Sequence, residues 1–217
     1  MKLKPLNGLW LLVAALLPAH LEAAEEAPLA EVGLAIGQRA PAFTLKDQNG
    51  KEVSLEVLLK KGPVAVVFYR SADWCMFCKF QLIHLQRNLK QFEDAGGHVV
   101  GISYDSTRAL KKFADSKAIT LPLPSDPGSK TIDAYGVRDK TTSSPEEGFA
   151  AHASFVLDQN GIVRAKLLKA LYQEQPGVGY LLNALKAARN PDGANQNKAA
   201  GKAPASSKDH KNANTET

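Results

Sequence analysis

The sequence is poor in cysteine: its 217 residues include only two, Cys75 and Cys78. Two cysteines cannot supply the several disulfides on which small secreted scaffolds depend, so the fold has to rest on a hydrophobic core. A bridge between them closes too short a loop to remove much entropy from the unfolded chain, which argues against a purely structural disulfide. The pair is therefore the first candidate for chemistry.

Long apolar runs are missing as well. Residues 9–17 form a run of nine apolar residues, well short of the roughly 20 that a membrane-spanning helix needs. Lys2 and Lys4 precede this run, and small or aliphatic residues stand after it at positions 21 and 23, which is the pattern of a secretory signal peptide over 1–23. We therefore expect cleavage near Ala23, export to the periplasm or the extracellular space, a leader over 24–31, and no stable membrane anchor.

A concentrated basic segment is also absent, although the formal net charge is +5. Beyond the pairs Lys60-Lys61 and Lys111-Lys112 there is no basic block, so nucleic-acid binding is not expected. Residues 190–217 contain no aromatic or branched aliphatic side chain and cannot bury enough surface to order themselves. We expect a disordered tail there and a single domain over 32–189, because an apolar content of 44% suffices for one core.

Apolar spacing places the cysteines at the start of a helix. The valine-rich run 64–69 predicts a strand that is buried on both faces, and after it apolar residues recur at steps of three and four. We expect one helix from Cys75 to about Ala95, where Gly96-Gly97 stops it. Its buried stripe consists of Cys78, Leu82, Leu85, Leu89 and Phe92.

The rest of the domain alternates strands and helices, as is typical of an α/β fold. Hairpins are predicted at 43–54 and at 154–166, each around an Asn-Gly turn. A strand at 98–104 should lie parallel to 64–69, because a helix connects the two. The result is a mixed sheet with helices on both faces.

Three further helices and one long loop complete the prediction. The helices at 55–61 and 106–117 are each expected to be capped by a serine, and a helix at 178–188 closes the domain. Residues 138–150 are polar and without periodicity, so we expect a solvated insertion there rather than a border of the active site.

A cysteine at the tip of a helix is expected to be reactive. The unpaired N–H groups and the positive end of the helix dipole stabilise a thiolate at Cys75. Cys78 lies one turn deeper on the buried stripe, where it can attack a mixed disulfide formed on Cys75. One cysteine therefore attacks and the other resolves.

The residues next to the pair allow two interpretations each. Lys79 is either a further cation near Cys75 or a solvated helix residue. Trp74 either caps the core, which we favour, or offers a flat apolar contact to a partner. Arg70 and Asp73 are expected to oppose each other in the loop before the pair.

Three motifs resemble the thioredoxin-like redoxins of the AhpC/TSA group. They are Gly37-x-x-Ala-Pro41-x-Phe-x-Leu45, the strand that leads into Trp74-Cys-x-x-Cys78, and Phe155-Val-Leu-Asp158-x-x-Gly161. The likeness covers roughly residues 33–188. It implies a thioredoxin-like fold, with a central mixed β-sheet flanked by helices and an N-terminal β-hairpin extension. In that context Cys-x-x-Cys is a redox motif.

Two chemistries compete within this group. Peroxiredoxins resemble Pro-x-x-x-Thr-x-x-Cys around the reactive cysteine and have a distant arginine, whereas here the matching positions hold Phe68, Ala72 and His152. An imidazole cannot replace the bidentate, permanently charged fork of arginine, and a substitute role of Arg70 stays open. Thioredoxins share Trp-Cys-x-x-Cys, but they usually have a proline where His152 stands and many have a buried acid where Tyr69 stands.

We therefore predict an exported thiol-disulfide oxidoreductase in which Cys75 is the nucleophile and Cys78 resolves. It needs no bound cofactor, acts on a disulfide-containing protein, and is recycled by an external thiol reductant or oxidant protein. The alternative is a peroxiredoxin-like thiol peroxidase with antioxidant activity, whose substrate is a peroxide.

A second alternative is a metallochaperone that resembles redoxins and holds copper on the two thiolates and His152, because soft sulfur ligands favour Cu(I). The Cys-x-x-Cys spacing differs from the Cys-x-x-x-Cys of those proteins, and we predict no metal site. His152 is then either an ordinary loop histidine or a neutral imidazole that moves a proton beside the sulfurs.

Overall fold

The computed structural model of the chain describes residues 32–139, 148–168 and 177–190. The signal peptide, the leader and the tail from residue 191 onward lie outside the described residues, so the predictions made for them stay predictions. Within the described ranges, no helix is both long and apolar enough to cross a membrane.

The predicted N-terminal hairpin is confirmed. Strands β1 (Thr44–Lys46) and β2 (Glu52–Ser54) pair antiparallel in a sheet of their own. The carboxylate of Asp47 holds the turn, since it accepts the N–H groups of Asn49 at 2.8 Å and Lys51 at 2.9 Å. A short polar side chain that bonds its own turn is the reason such sequences reverse the chain.

A mixed sheet of four strands forms the centre of the domain. Its strands are β3 (Val64–Phe68), β4 (His98–Ile102), β5 (Ala153–Leu157) and β6 (Val163–Leu167), in the order β4-β3-β5-β6. Strands β3 and β4 are parallel, as their helical connection requires, and the other two pairs are antiparallel. The predicted mixed sheet is confirmed.

The helix after the cysteines is broken in two, so the prediction of one continuous helix is wrong. Helix α2 is Met76–Arg87 and helix α3 is Leu89–Asp94. At the break, the Asn88 side chain donates to the carbonyl of His84 at 2.8 Å, while the Asn88 backbone N–H bonds to the carbonyl of Leu85 at 3.1 Å. The side-chain amide of Asn88 thus occupies the carbonyl of His84, to which the backbone N–H of Asn88 would bond if the α-helix continued. This competition ends α2.

The predicted stop at Gly96-Gly97 is confirmed. The N–H of Gly97 bonds to the carbonyl of Phe92 at 3.0 Å, and that of Gly96 to Glu93 at 2.8 Å. These are the two bonds of a Schellman motif, whose left-handed residue is Gly96 with φ of +71°. Glycine adopts that conformation without the steric cost of a side chain.

The remaining helices are α1 (Leu55–Leu59), α4 (Thr107–Lys117), α5 (Lys130–Ala134) and α6 (Gly177–Arg189). Ser106 caps α4 as predicted, through a bond from the Ala109 N–H at 3.3 Å. Ser54 precedes α1, but its side chain makes no capping bond. Helix α5 was not predicted, because five residues are too few to show a helical period.

Alternate residues of β3 enter two hydrophobic cores. Ala65 and Val67 belong to the helix-side core, which takes residues from α2, α3, α4 and α6 and includes both cysteines. Val64 and Val66 belong to the hairpin-side core, to which the β1-β2 hairpin, α1 and α5 contribute. The redox pair is therefore attached to one face of the sheet and lies at one end of it.

Candidate active site

Cys75 and Cys78 form a disulfide at the start of α2, just beyond the carboxyl end of β3. Cys75 is the residue that caps the helix rather than part of its first turn, and its Sγ accepts the Cys78 N–H at 3.2 Å. Cys75 is 7% exposed, whereas Cys78 is not exposed at all. An incoming group can thus reach the sulfur of Cys75 before that of Cys78.

The sheet brings His152 to this pair. Strand β5 runs antiparallel to β3, so the residue before β5 lies at the carboxyl end of β3. The Nε2 atom of His152 is 3.4 Å from the Sγ of Cys78. Burial, followed by the charge of Arg70, lowers the pKa of His152, while the Asp139 carboxylate opposes this shift. The imidazole is therefore neutral at neutral pH and within reach of the inner sulfur.

Arg70 belongs to the same end of the sheet but turns toward the 138–150 loop. It forms an ion pair with Asp139 at 3.1 Å, and its guanidinium lies 5.6 Å from the centre of the Phe149 ring. Asp139, rather than the expected Asp73, is thus its counter-ion. The described ends of the loop border the site, so the expectation of a purely solvated insertion is wrong for them.

Trp74 does not cap the core, contrary to the interpretation that the sequence favoured. Its side chain is 49% exposed, its Nε1 donates to the hydroxyl of Tyr104 at 2.8 Å, and its ring meets that of Phe149 edge-on at 5.4 Å. Lys79 is half-buried, and its ammonium donates to the carbonyl of Asp73 at 2.5 Å. Both side chains therefore line the loop that precedes Cys75.

A buried polar network beneath this loop was missed by the sequence analysis. The carboxylate of Asp105 accepts the hydroxyl of Ser71 at 2.7 Å, the N–H of Ala72 at 2.6 Å and the hydroxyl of Ser103 at 2.9 Å. Asp105 is 6% exposed, and the two serines are fully buried. The sequence could have indicated this network by position alone, because Ser71 and Asp105 each follow the end of a strand and the two strands were predicted to be parallel.

The donor set of the site fits a soft metal ion. One ligand atom each from Cys75, Cys78 and His152 lie within 4.8 Å of one another. Two thiolates and a neutral imidazole are ligands that Cu(I) and Zn²⁺ accept. A disulfide has no thiolate to offer, so only the reduced pair can bind such an ion.

Comparisons with known proteins point to one family. The model described as the AhpC/TSA family matches residues 36–166. Chloroplastic peroxiredoxin Q of Suaeda salsa is 37% identical over 131 residues, which are 59% of this chain and 57% of the relative. Chloroplastic peroxiredoxin Q of Arabidopsis thaliana is 36% identical over 155 residues, 70% of this chain and 67% of the relative. The match spans 57% of the first of these relatives, which is less than two thirds of its length.

A solved structure has the same fold. The crystal structure of peroxidoxin BcpB from Mycobacterium tuberculosis is similar to this chain with a TM-score of 0.63 at 26% identity, over 74% of this chain and 100% of that one. The chain therefore shares the fold of that protein over about three quarters of its own length.

Proposed function

The chain belongs to the AhpC/TSA family and has its thioredoxin-like fold, and on this premise we propose that it is a redox enzyme that acts by thiol-disulfide exchange. Cys75 is the nucleophile and Cys78 is the resolving cysteine. The substrate is a disulfide-containing protein, and an external thiol reductant or oxidant protein returns the pair to its starting state. Export of the enzyme stays a prediction from the N-terminal segment.

One observation carries the proposal: the two bonded sulfurs differ in access. Cys75 lies at the tip of α2 with 7% of its surface exposed, and Cys78 is completely covered one turn deeper. A large disulfide substrate can therefore meet Cys75 only. Cys78 is protected from substrate, yet it is close enough to displace it.

The chemistry balances in the reducing direction. The Cys75 thiolate attacks one sulfur of the substrate disulfide, so a mixed disulfide forms and the first substrate sulfur leaves as a thiolate. Cys78 gives its proton to neutral His152 and attacks the Sγ of Cys75. The second substrate thiolate leaves and takes that proton. Two electrons have passed to the substrate, and the resulting Cys75–Cys78 disulfide needs an external dithiol to reduce it.

Peroxide reduction is the second candidate, and the similarity to peroxiredoxin Q favours it. In that reaction the Cys75 thiolate attacks a peroxide oxygen, which gives a sulfenic acid and water or an alcohol; Cys78 then condenses with it and releases water. The local residues argue against this. Ala72 has no hydroxyl, His152 replaces the guanidinium, and Arg70 is already paired with Asp139.

Parallel assays separate the two reactions. With dithiothreitol as the reductant, reduction of an insulin-type disulfide is measured beside consumption of hydrogen peroxide. We expect exchange activity that Cys75→Ser abolishes, while Cys78→Ser accumulates a mixed disulfide that non-reducing electrophoresis and mass spectrometry detect. Fast peroxide turnover that is lost in Cys75→Ser, together with negligible exchange, would replace our first candidate by the second.

Copper binding is a further candidate, favoured by the 4.8 Å spacing of the three donor atoms. Cu(I) is added to the reduced protein in the presence of a competing chelator. A metallochaperone predicts a one-to-one complex that is lost in Cys75→Ser, Cys78→Ser and His152→Asn but kept in His84→Asn, whose side chain is exposed on α2. Absence of a complex, or one that survives in His152→Asn, rejects this function.

A further inference from the structure

We propose that Asp105 is a positioning residue for the redox pair. Acting through Ser71, it fixes the loop that presents Cys75, and it thereby sets the equilibrium between the dithiol and the disulfide. This inference rests on the proposed function in that it concerns the same pair, but it can be measured without any substrate.

The sheet topology brings these two residues together. Strands β3 and β4 are parallel neighbours, and Phe68 at the end of one is paired with Ile102 at the end of the other. Ser71 and Asp105 each stand three residues beyond those ends. Parallel strands end at the same edge of a sheet, so the serine and the carboxylate meet below the loop that leads to Cys75.

The hydrogen bonds form a relay into that loop. Ser71 donates its hydroxyl hydrogen to Asp105 at 2.7 Å, which leaves the Ser71 oxygen free to accept. This oxygen accepts the N–H of Asp73 at 2.9 Å and the N–H of Trp74 at 3.3 Å. The Asp105 carboxylate itself accepts the N–H of Ala72 at 2.6 Å. Three consecutive backbone N–H groups just before Cys75 are therefore oriented by one carboxylate and its serine.

This arrangement needs two acceptor oxygens at residue 105. The hydroxyls of Ser71 and Ser103 and the backbone N–H of Ala72 all donate to Asp105, and the two oxygens of a carboxylate can accept all three. An asparagine in its place would direct an NH₂ group at one of those donors. The donor would be left without a partner in a buried position, and the loop would have to move.

The position of the loop determines the position of the outer sulfur. Cys75 caps α2, and its Sγ is held both by the Cys78 N–H and by the bond to the Cys78 sulfur. The relay holds residues 72–74, which directly precede Cys75. When it is broken, the disulfide form has to order a loop that is no longer fixed, so we expect the equilibrium to move toward the dithiol.

The test is the equilibrium protein dithiol + oxidised glutathione ⇌ protein disulfide + two reduced glutathione, measured in the full chain by thiol alkylation and mass spectrometry. We expect the equilibrium constant to fall three- to tenfold in Ser71→Ala and in Asp105→Asn, where tenfold corresponds to about 30 mV. Ser71→Ala removes one oxygen atom only, so it keeps the test valid where Asp105→Asn does not fold.

A matched control is available at the other end of the sheet. Asp158 is also buried, accepts the N–H groups of Asn160 at 2.9 Å and Ile162 at 3.0 Å in the β5-β6 turn, and forms an ion pair with Arg164. Asp158→Asn should lower the melting temperature but leave the equilibrium constant within twofold of the wild type. An unchanged constant in folded Ser71→Ala, or an equal fall in Asp158→Asn, would overturn the positioning role.

Failure of the proposed function gives a different result. A wild-type protein that exchanges with glutathione but acts on neither protein disulfides nor peroxide would reject the enzyme assignment. The effect of Ser71→Ala on the glutathione equilibrium would still decide the role of Asp105.

Discussion

At the scale of single residues, the charge of His152 bears on the proton transfer that we propose from Cys78. Its pKa is lowered from the usual value of 6.5 by burial first and by Arg70 second. Its native state therefore binds fewer protons than the unfolded chain just below pH 6.5, and this histidine makes stability fall as the pH falls through that window. Above it, the neutral imidazole is available to accept the Cys78 proton.

Removing the nearby cation should raise this pKa. In Arg70→Gln the repulsion from the guanidinium is gone and the Asp139 carboxylate remains, so the NMR titration midpoint of His152 should move up toward 6.5. It should stay below that value, because burial is the larger cause. The internal control is His98, whose pKa is lowered by burial and by Lys61 at the opposite end of the sheet. A downward shift of His152, or an equal shift of His98, would contradict this account.

At the scale of elements, the sequence predicts those parts that local chemistry determines. The Asp47 turn and the Schellman end at Gly96 use bonds between residues a few positions apart, so the pattern is visible in the chain. The break at Asn88 is also local. However, the sequence does not show whether the side-chain amide of this asparagine will compete with its backbone N–H for the helical hydrogen bond. Helix α5 is shorter than two helical turns and shows no period.

The candidate site likewise contains residues that the sequence predicts and a contact that it does not predict. The motif places Cys75 and Cys78, and the resemblance to redoxins directs attention to His152. The relay between Ser71 and Asp105 joins residues 34 positions apart, which meet only because β3 and β4 pair in parallel register. Such a contact depends on the assembled sheet, so propensity and spacing do not predict it.

At the scale of the whole molecule, strand β3 couples the two faces of the domain. It is completely buried and contributes alternate residues to the helix-side and the hairpin-side core. The redox pair belongs to the helix-side core, but β3, which leads into the loop before the pair, is packed against both cores. Loss of packing on either face should therefore lower the stability of the active-site loop.

This coupling predicts a single unfolding transition. Leu82 lies in the helix-side core and Phe155 in the hairpin-side core, and both are fully buried. Leu82→Ala and Phe155→Ala should lower the free energy of unfolding by about 2–5 and 3–5 kcal/mol, respectively. In a Trp10→Phe background Trp74 is the only tryptophan, because the chain has two, and its emission reports on the active-site loop.

Urea unfolding of each variant, followed by Trp74 emission and by far-UV circular dichroism, should give coincident midpoints. The comparison is most informative for Phe155→Ala, because Phe155 lies in the hairpin-side core, whereas Trp74 directly precedes Cys75, which belongs to the helix-side core. If β3 transmits the loss, the emission midpoint moves as far as the dichroism midpoint. An emission midpoint that stays at the wild-type urea concentration while the dichroism midpoint falls would mean that the two cores unfold independently, and β3 would then not couple the active site to the hairpin side.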